Sequence, residues 1–344
     1  DIESWRWIFY INLPAGLIAT FLVFAYVHDP SYIRKKALQI DRWGLFFLCI
    51  GLGCLQIVLD KGQREDWFQS DFILYLSITS LLALALFVWV ELRARHPVVD
   101  LRVLRDRNFS TGSAIMFAGF LALFASLVLL PLYVQKLMGY TAFWAGLVLG
   151  PGGMAAFVIM PVAGLLMRKG INPRYLLAAG LSVAAYAVWE MSNFNLQADI
   201  YAIIWPRVVM GVGLGLFFVP LSAATFATIS NEKMGNASGL FNLLRNLGGS
   251  FGVAISTTVL ARRSQVHQNF LVETFTPSSS AFHQYYELIK QFLENRFAWA
   301  TQESVYALVY QAVVRQATML AFNDVFWVLA WLTAAMLAPA LANG

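Results

Sequence analysis

Charge is what this chain has least of. Asp, Glu, Lys and Arg together make up 12% of its 344 residues, against about 25% in a soluble domain. So little charge cannot clothe a water-facing surface, which excludes an ordinary soluble globular protein. Cysteine is also scarce: Cys49 and Cys54 are the only two, and they share one apolar run. That excludes a disulfide framework and zinc-site spacing, and leaves them a packing role. The four histidines, His28, His96, His267 and His283, are scattered between the apolar runs, so no nucleophile–base pair or metal cluster can be argued from them. HExxH and GxxxxGK[ST] are missing. The GVGLG at 211–215 lies within an apolar run, where it serves packing and not a phosphate. ATP-driven work, metal hydrolysis and dinucleotide chemistry therefore lack their residues. Neither a cofactor nor a metal nor an enzymatic activity is expected. The chain starts at Asp1, with no Met and no signal peptide, and reads as a fragment lacking an N-terminal part.

What is present is grease. Hydrophobic residues make up 59% and the mean hydropathy is +0.64, values of an integral membrane protein. The net charge of +5 then reads as a topology signal, with no nucleic-acid partner expected. Apolar runs long enough to cross a bilayer fall at 7–27, 43–59, 72–92, 110–134, 143–167, 174–192, 202–229, 236–261 and 322–342. Arg34, Lys35, Lys36 and Arg42 lie between the first two runs. Arg93, Arg95, Arg102, Arg105 and Arg107 lie after the third, Arg168, Lys169 and Arg174 after the fifth, and Lys233 after the seventh. The alternate loops hold fewer cations. Positive loops stay cytoplasmic, so nine spans would place Asp1 outside and Gly344 inside. Asn108 and Asn236 match the glycosylation pattern but fall on the inner side and are discounted. The segment 263–319 is the exception, a long polar stretch on the outer side. Its residues 281–318 mix apolar and charged positions at helical spacing, which predicts two short amphipathic helices. They read first as a solvated cap and second as a docking surface for a periplasmic partner.

The stretch 236–262 organises the rest. At 100° per residue, Gly235, Ser238, Asn242, Arg245, Gly249, Gly252 and Ser256 fall on one face. Leu240, Leu243, Leu244, Leu247, Phe251 and Ile255 fall on the other, which would meet acyl chains. The small polar face would meet other helices or a water-filled path. A charge in a span marks a functional site by default; the competing reading is that Arg245 snorkels to the cytoplasmic surface. Pro151 and Pro161, with Gly146, Gly150, Gly152 and Gly153, bend the fifth span. Gly211 and Gly215 form a GxxxG pair next to Gly213 and Pro220, and Arg207 reads as an anchor at the outer interface. Bent, glycine-rich helices around a polar face suggest a protein that rocks between states, as transporters do. Phe217 and Phe218 offer faces on which a cationic or aromatic substrate could stack, with core packing as the alternative. The acid candidates for carrying a proton are Glu190, Asp324 and Asp60, each also readable as a solvated helix end; Glu190 is the most embedded.

Five ordered stretches carry a resemblance: WRWIFYINLPAG at 5–16, HPVVDLRVLRDRNF at 96–109, YTAFWAGLVLGPGG at 140–153, GLFNLLRNLGGSFGVAIST at 239–257 and RQATMLAFNDVFW at 315–327. Together they resemble the 14-helix drug:proton antiporters of the major facilitator superfamily, in particular the EmrB-type group. The resemblance covers essentially the whole chain. It implies an all-α major facilitator fold in which the nine spans are helices 6–14. Residues 1–27 would then hold the last helix of the N-terminal bundle. Two extra linker helices would occupy 28–108, the C-terminal bundle 109–262, a periplasmic loop 263–319 and the final helix 320–344. The same resemblance implies proton-driven efflux of amphipathic compounds across the inner membrane. It also implies a periplasmic membrane-fusion adaptor and an outer-membrane channel as partners, and puts the main proton carrier in the missing half. The residues that carry over are Asn12 and Pro14, then Asn242, Arg245, Gly248 and Gly249. One departure is MRKGINPR at 167–174, where Met167 takes the acidic place of an Asp-Arg pair. The alternatives are an exporter of one metabolite, such as a siderophore or sugar, and a membrane scaffold or sensor that does not transport.

Overall fold

In a computed structural model of the chain, the described residues are 6–10, 12–27, 41–94, 97–295 and 301–342, nearly all of them helical and none of them in a strand. The chain divides into two units, Asp1–Ile40 and Asp41–Gly344. The first holds α1 (Trp7–Tyr10) and α2 (Asn12–Tyr26). Pro14 sits at the start of α2, where its missing N–H deprives the helix of no bond. The loop cations Arg34, Lys35, Lys36 and Arg95, and the ends Asp1 and Gly344, lie outside the described residues.

The second unit runs through α3 (Arg42–Lys61), α4 (Asp71–Arg93), α5 (Arg107–Leu132), α6 (Ala142–Arg168), α7 (Pro173–Met191) and α8 (Ile200–Phe226). It continues with α9 (Met234–Thr274), α10 (Ser280–Glu294), α11 (Gln302–Ala335) and the short α12 (Leu337–Ala342). Among the described residues, six helical stretches are long and apolar enough to span a membrane: 42–61, 71–93, 107–137, 142–168, 200–226 and 302–341. The protein is therefore a polytopic, all-α membrane protein. The runs expected at 174–192 and 236–261 also lie on helices, α7 and α9, although polar residues keep those helices below the same apolarity.

Helix starts follow the local sequence. Asp41, Asp106, Asn172 and Ser279 cap α3, α5, α7 and α10 with their side-chain oxygens. Pro131, inside α5, is followed by a π turn over Tyr133–Leu137, the local rearrangement by which a membrane helix accommodates a lost N–H.

The polar segment 263–319 differs from expectation. Of the two short helices expected over 281–318, α10 is one. The other is the start of α11, which runs unbroken from Gln302 into the last span. Nor does α9 end near 262; it continues to Thr274. The reason is the absence of Gly and Pro from 253–274 and 302–335, so nothing stops either helix. At 1.5 Å per residue α9 is roughly 60 Å long, about twice the hydrocarbon thickness.

Two apolar cores hold the bundle. One gathers Leu129, Tyr133, Ile203, Phe322 and Phe326. The other gathers Phe109, Met116, Leu181, Phe217, Leu240 and Met336 near the opposite helix ends. The α3–α4 hairpin touches this bundle where Ser250 Oγ of α9 donates to Gln56 Oε1 at 2.8 Å.

Candidate functional site

The small residues of α9 do what the residue pattern predicts for half the helix. Gly248 lies over the Phe117 carbonyl of α5 and Gly252 over the Leu121 carbonyl, so that a Cβ at either position would collide with backbone. Gly249 faces the Phe124 ring, where a Cβ would come to 3.1 Å. Glycines four apart on α9 thus meet carbonyls four apart on α5. Ser256 continues the buried seam one turn further on.

Below that seam the face opens. Arg245 is half-buried, with its guanidinium carbon 5.4 Å from the centroid of Phe120. Phe120 in turn lies 5.7 Å from Phe124 and 6.1 Å from Phe218. The three rings come from α5 and α8 and form one aromatic group under the cation. Arg245 Nε is buried with no hydrogen-bond partner, and the group in contact with the guanidinium among the described residues is the Phe120 ring. A cation over an aromatic face contributes about 0.5–2 kcal/mol, more when desolvated. Asn242 donates locally, to Ser238 O at 2.9 Å, and Gly235 faces open space. The candidate site is therefore Arg245 with Phe120, Phe124, Phe218 and Gly249.

The opposite face of α9 does not meet lipid as expected over its first turns. Leu240 is buried, and Leu243 and Leu244 pack against the same core as Phe241 and Met336. Ile255 is exposed, as predicted. Phe251 lies 5.9 Å from Phe117.

The other candidates scatter. Phe217 is a core residue, 3% exposed, with its ring tip against Gly119 of α5. Phe218 alone of the pair reaches the Arg245 group. Glu190, near the end of α7, accepts from Tyr186 Oη at 2.9 Å on its own helix. Asp324 takes both Arg263 Nε, at 2.5 Å, and His267 Nε2, at 2.7 Å, and so ties α11 to the C-terminal extension of α9. Asp60 is exposed at the end of α3. Gly211 and Gly215 seat α8 on α6, against the Gly152 carbonyl and Ile159, while Gly213 seats it on α7. Gly150 faces open space and Pro151 is half-buried within an unbroken α6. Asn12 and Pro14 are exposed within the first unit. Among the described residues no group of His, Cys, Asp and Glu could hold a metal.

One residue was misplaced by the sequence. Arg207, expected at the outer interface, is 6% exposed and lies between α8 and α6 beneath Gly152. Its Nη1 donates to Met210 Sδ at 3.3 Å, and its Nε has no partner. The signal was available in Gly152: a glycine on a neighbouring span can admit a long side chain between two helices.

Residues 1–253 match the Major Facilitator Superfamily. The fatty acid resistance protein FarB of Neisseria gonorrhoeae is 35% identical over 81% of this chain and 55% of its own length. The multidrug export protein EmrB of Escherichia coli K12 is 31% identical over 95% of this chain and 62% of its own. EmrB of Haemophilus influenzae is 34% identical over 95% and 63%. The chain thus spans between about half and two thirds of the length of these relatives.

Proposed function

The chain belongs to the major facilitator superfamily, and we propose that it forms part of an exporter that moves amphipathic drugs and toxic compounds out across the inner membrane in exchange for protons. The observation that carries this reading is the Arg245 group: a half-buried cation, a three-ring aromatic cluster and a glycine, gathered on membrane helices. A broad-range exporter needs contacts that tolerate many shapes, and aromatic faces beside one charge supply attraction without a fixed hydrogen-bond pattern. The names of the relatives, a fatty acid resistance protein and two multidrug export proteins, point to the same substrate class. Glycine seams at α9–α5 and α8–α6 give close, nearly smooth helix contacts suited to small rotations.

In this reading Arg245, Phe120 and Phe218 line the substrate path and Gly249 keeps it open beside Phe124. Loop charge favours a cytoplasmic C-terminal end and a periplasmic α9–α10–α11 extension, where a membrane-fusion adaptor leading to an outer-membrane channel would dock. No catalytic step is involved.

The test is drug resistance and dye efflux in cells expressing the natural gene with Arg245→Ala, Arg245→Lys or Phe218→Ala, with protein amounts matched. Arg245→Ala should raise accumulation of several unrelated amphipathic dyes, and Arg245→Lys should retain part of the efflux. Unchanged efflux in Arg245→Ala refutes the site. Efflux of a single compound only would favour an exporter of one metabolite, and no efflux at all by the natural protein would favour a scaffold or sensor.

A further inference from the structure

Glu91 is the most deeply buried acid described. It lies in the last turn of α4 and is 2% exposed. Its Oε1 accepts from the Val99 N–H at 2.9 Å, which pins the connection after α4 back onto the helix. Its Oε2 is buried with no hydrogen bond of good geometry, although the Val98 N–H also acts on the carboxyl. A carboxylate oxygen left so costs several times an ordinary hydrogen bond, and a cation or donor would be expected beside it.

The surroundings supply the reverse. Asp41, at the start of α3, spends Oδ1 on the N–H groups of Trp43 and Gly44. Its Oδ2 is also buried and without a partner. Both carboxyls flank Gly44: a Cβ there would lie 2.9 Å from Asp41 Oδ2 and 3.4 Å from Glu91 Oε1. Among the described residues, the charges that act on Glu91 are those of Asp41 and Asp100, both acidic. The nearby described cations are engaged elsewhere or exposed. Arg93 lies 4.4 Å over the Trp89 ring, Arg102 donates to the Leu92 carbonyl and is exposed, and Arg42 and Arg105 are exposed.

Two orphaned oxygens and, among the described residues, no cation beside them leave one economical solution. We propose that Glu91 and Asp41 form a proton-binding site, with a single proton shared between Glu91 Oε2 and Asp41 Oδ2. That proton turns an acceptor into a donor, satisfies both orphans and removes one of two like charges that do not both ionise when held together. A metal ion fits poorly, because hard cations take six or more oxygens and only two are free here. The site joins three pieces of chain: the start of α3, the end of α4 and the 97–105 connection that leads into α5. Losing the proton would set two buried negative charges side by side, so the proton holds this joint closed. The inference rests on these contacts alone and stands whether or not the protein exports drugs.

The experiment is infrared difference spectroscopy on the natural protein in lipid nanodiscs, for wild type, Glu91→Gln and Asp41→Asn. Gln keeps the acceptor for Val99 and replaces the proton with a permanent donor, so folding should survive. The expected result is a deuterium-sensitive carbonyl band of a protonated carboxyl in wild type. Glu91→Gln should remove it, and Asp41→Asn should shift its frequency because the proton's acceptor has become an amide. A wild-type minus Glu91→Gln difference containing only carboxylate bands overturns the proposal. So does a band unmoved by Asp41→Asn, which decides the matter even if Glu91→Gln does not fold. Carboxylate bands that move on addition of sodium or calcium chloride would show a metal site and overturn it equally.

Discussion

Substituting alanine along one helix separates seam from surface. In α9, Gly239 has no atom within 4 Å of where a Cβ would stand. Alanine there gains helix propensity, about 0.8–1 kcal/mol, and meets nothing. Gly249 is intermediate, because its Cβ would come to 3.1 Å from the Phe124 ring, which can rotate away. Gly248 and Gly252 are the severe cases. The groups in the way are the Phe117 and Leu121 carbonyls of α5, and backbone cannot turn aside, so α5 and α9 must separate. Overpacking of this kind costs about 1–3 kcal/mol. Set against the propensity gain, each seam alanine should be neutral to about 2 kcal/mol destabilising, while Gly239→Ala should stabilise by up to about 1 kcal/mol. The double variant should cost less than the sum, because one shift of α5 relieves both clashes. The assay is thermal unfolding of the purified protein in one detergent, where 1 kcal/mol moves the midpoint by a few degrees or less in a chain of this size. The order expected is Gly239→Ala highest, then Gly249→Ala, then Gly248→Ala and Gly252→Ala. If the two seam variants melt with Gly239→Ala, then α5 and α9 are not in backbone contact and the site built on that seam is wrong.

Three further outcomes follow from the same packing. Arg207→Met should be neutral or stabilising in a melt, since an apolar chain of similar length replaces a buried guanidinium whose Nε lacks a partner; a loss above about 2 kcal/mol would mean the guanidinium has an anionic partner in the folded protein. Tyr133→Phe removes the fully buried hydroxyl that donates to the Asn195 carbonyl at 2.9 Å and should cost about 1 kcal/mol, read as a lower midpoint with unchanged dye efflux. Phe217→Ala should cost about 3–5 kcal/mol as a core truncation. Phe218→Ala should cost less stability and more efflux, and equal effects on both readouts would erase the distinction between the two rings.

The helices themselves were legible because the bilayer imposes a length that the hydrophobic runs display directly. Their faces were less so, and α9 shows why. Its periodicity correctly separated Gly249, Gly252 and Ser256 from Ile255, but it also assigned Leu240 to lipid. Hydropathy cannot make that distinction: lipid tails are as apolar as leucine, so a leucine fits equally well against acyl chains or against Phe241 and Met336. What decides is which neighbours arrive, and those come from helices as far apart in sequence as α5, which supplies Phe109 and Met116, and the end of α11, which supplies Met336. Small residues carry better information. Gly248 and Gly252 are needed only where a backbone approaches, which is why the seam could be read before its partner was known.

The polar positions were legible in proportion to how local their chemistry is. Asp41 as a helix cap follows from its place just before an apolar run. That its second oxygen and the Glu91 carboxyl, fifty residues on, flank the same glycine, Gly44, follows from nothing in the sequence, because it depends on how the α3–α4 hairpin closes. Arg207 fails in the same way. A cation seven residues into a span reads as an interface anchor if its helix is taken alone. It becomes a buried charge only when Gly152 of α6 is laid over it. Arg245 is the complementary case: its position on a glycine face marked it as functional, but its partner Phe120, and Phe218 that packs on Phe120, sit on two other helices. A charge in a membrane helix can thus be recognised as significant from one helix, while what it is for is fixed by side chains that only the packed bundle brings to it.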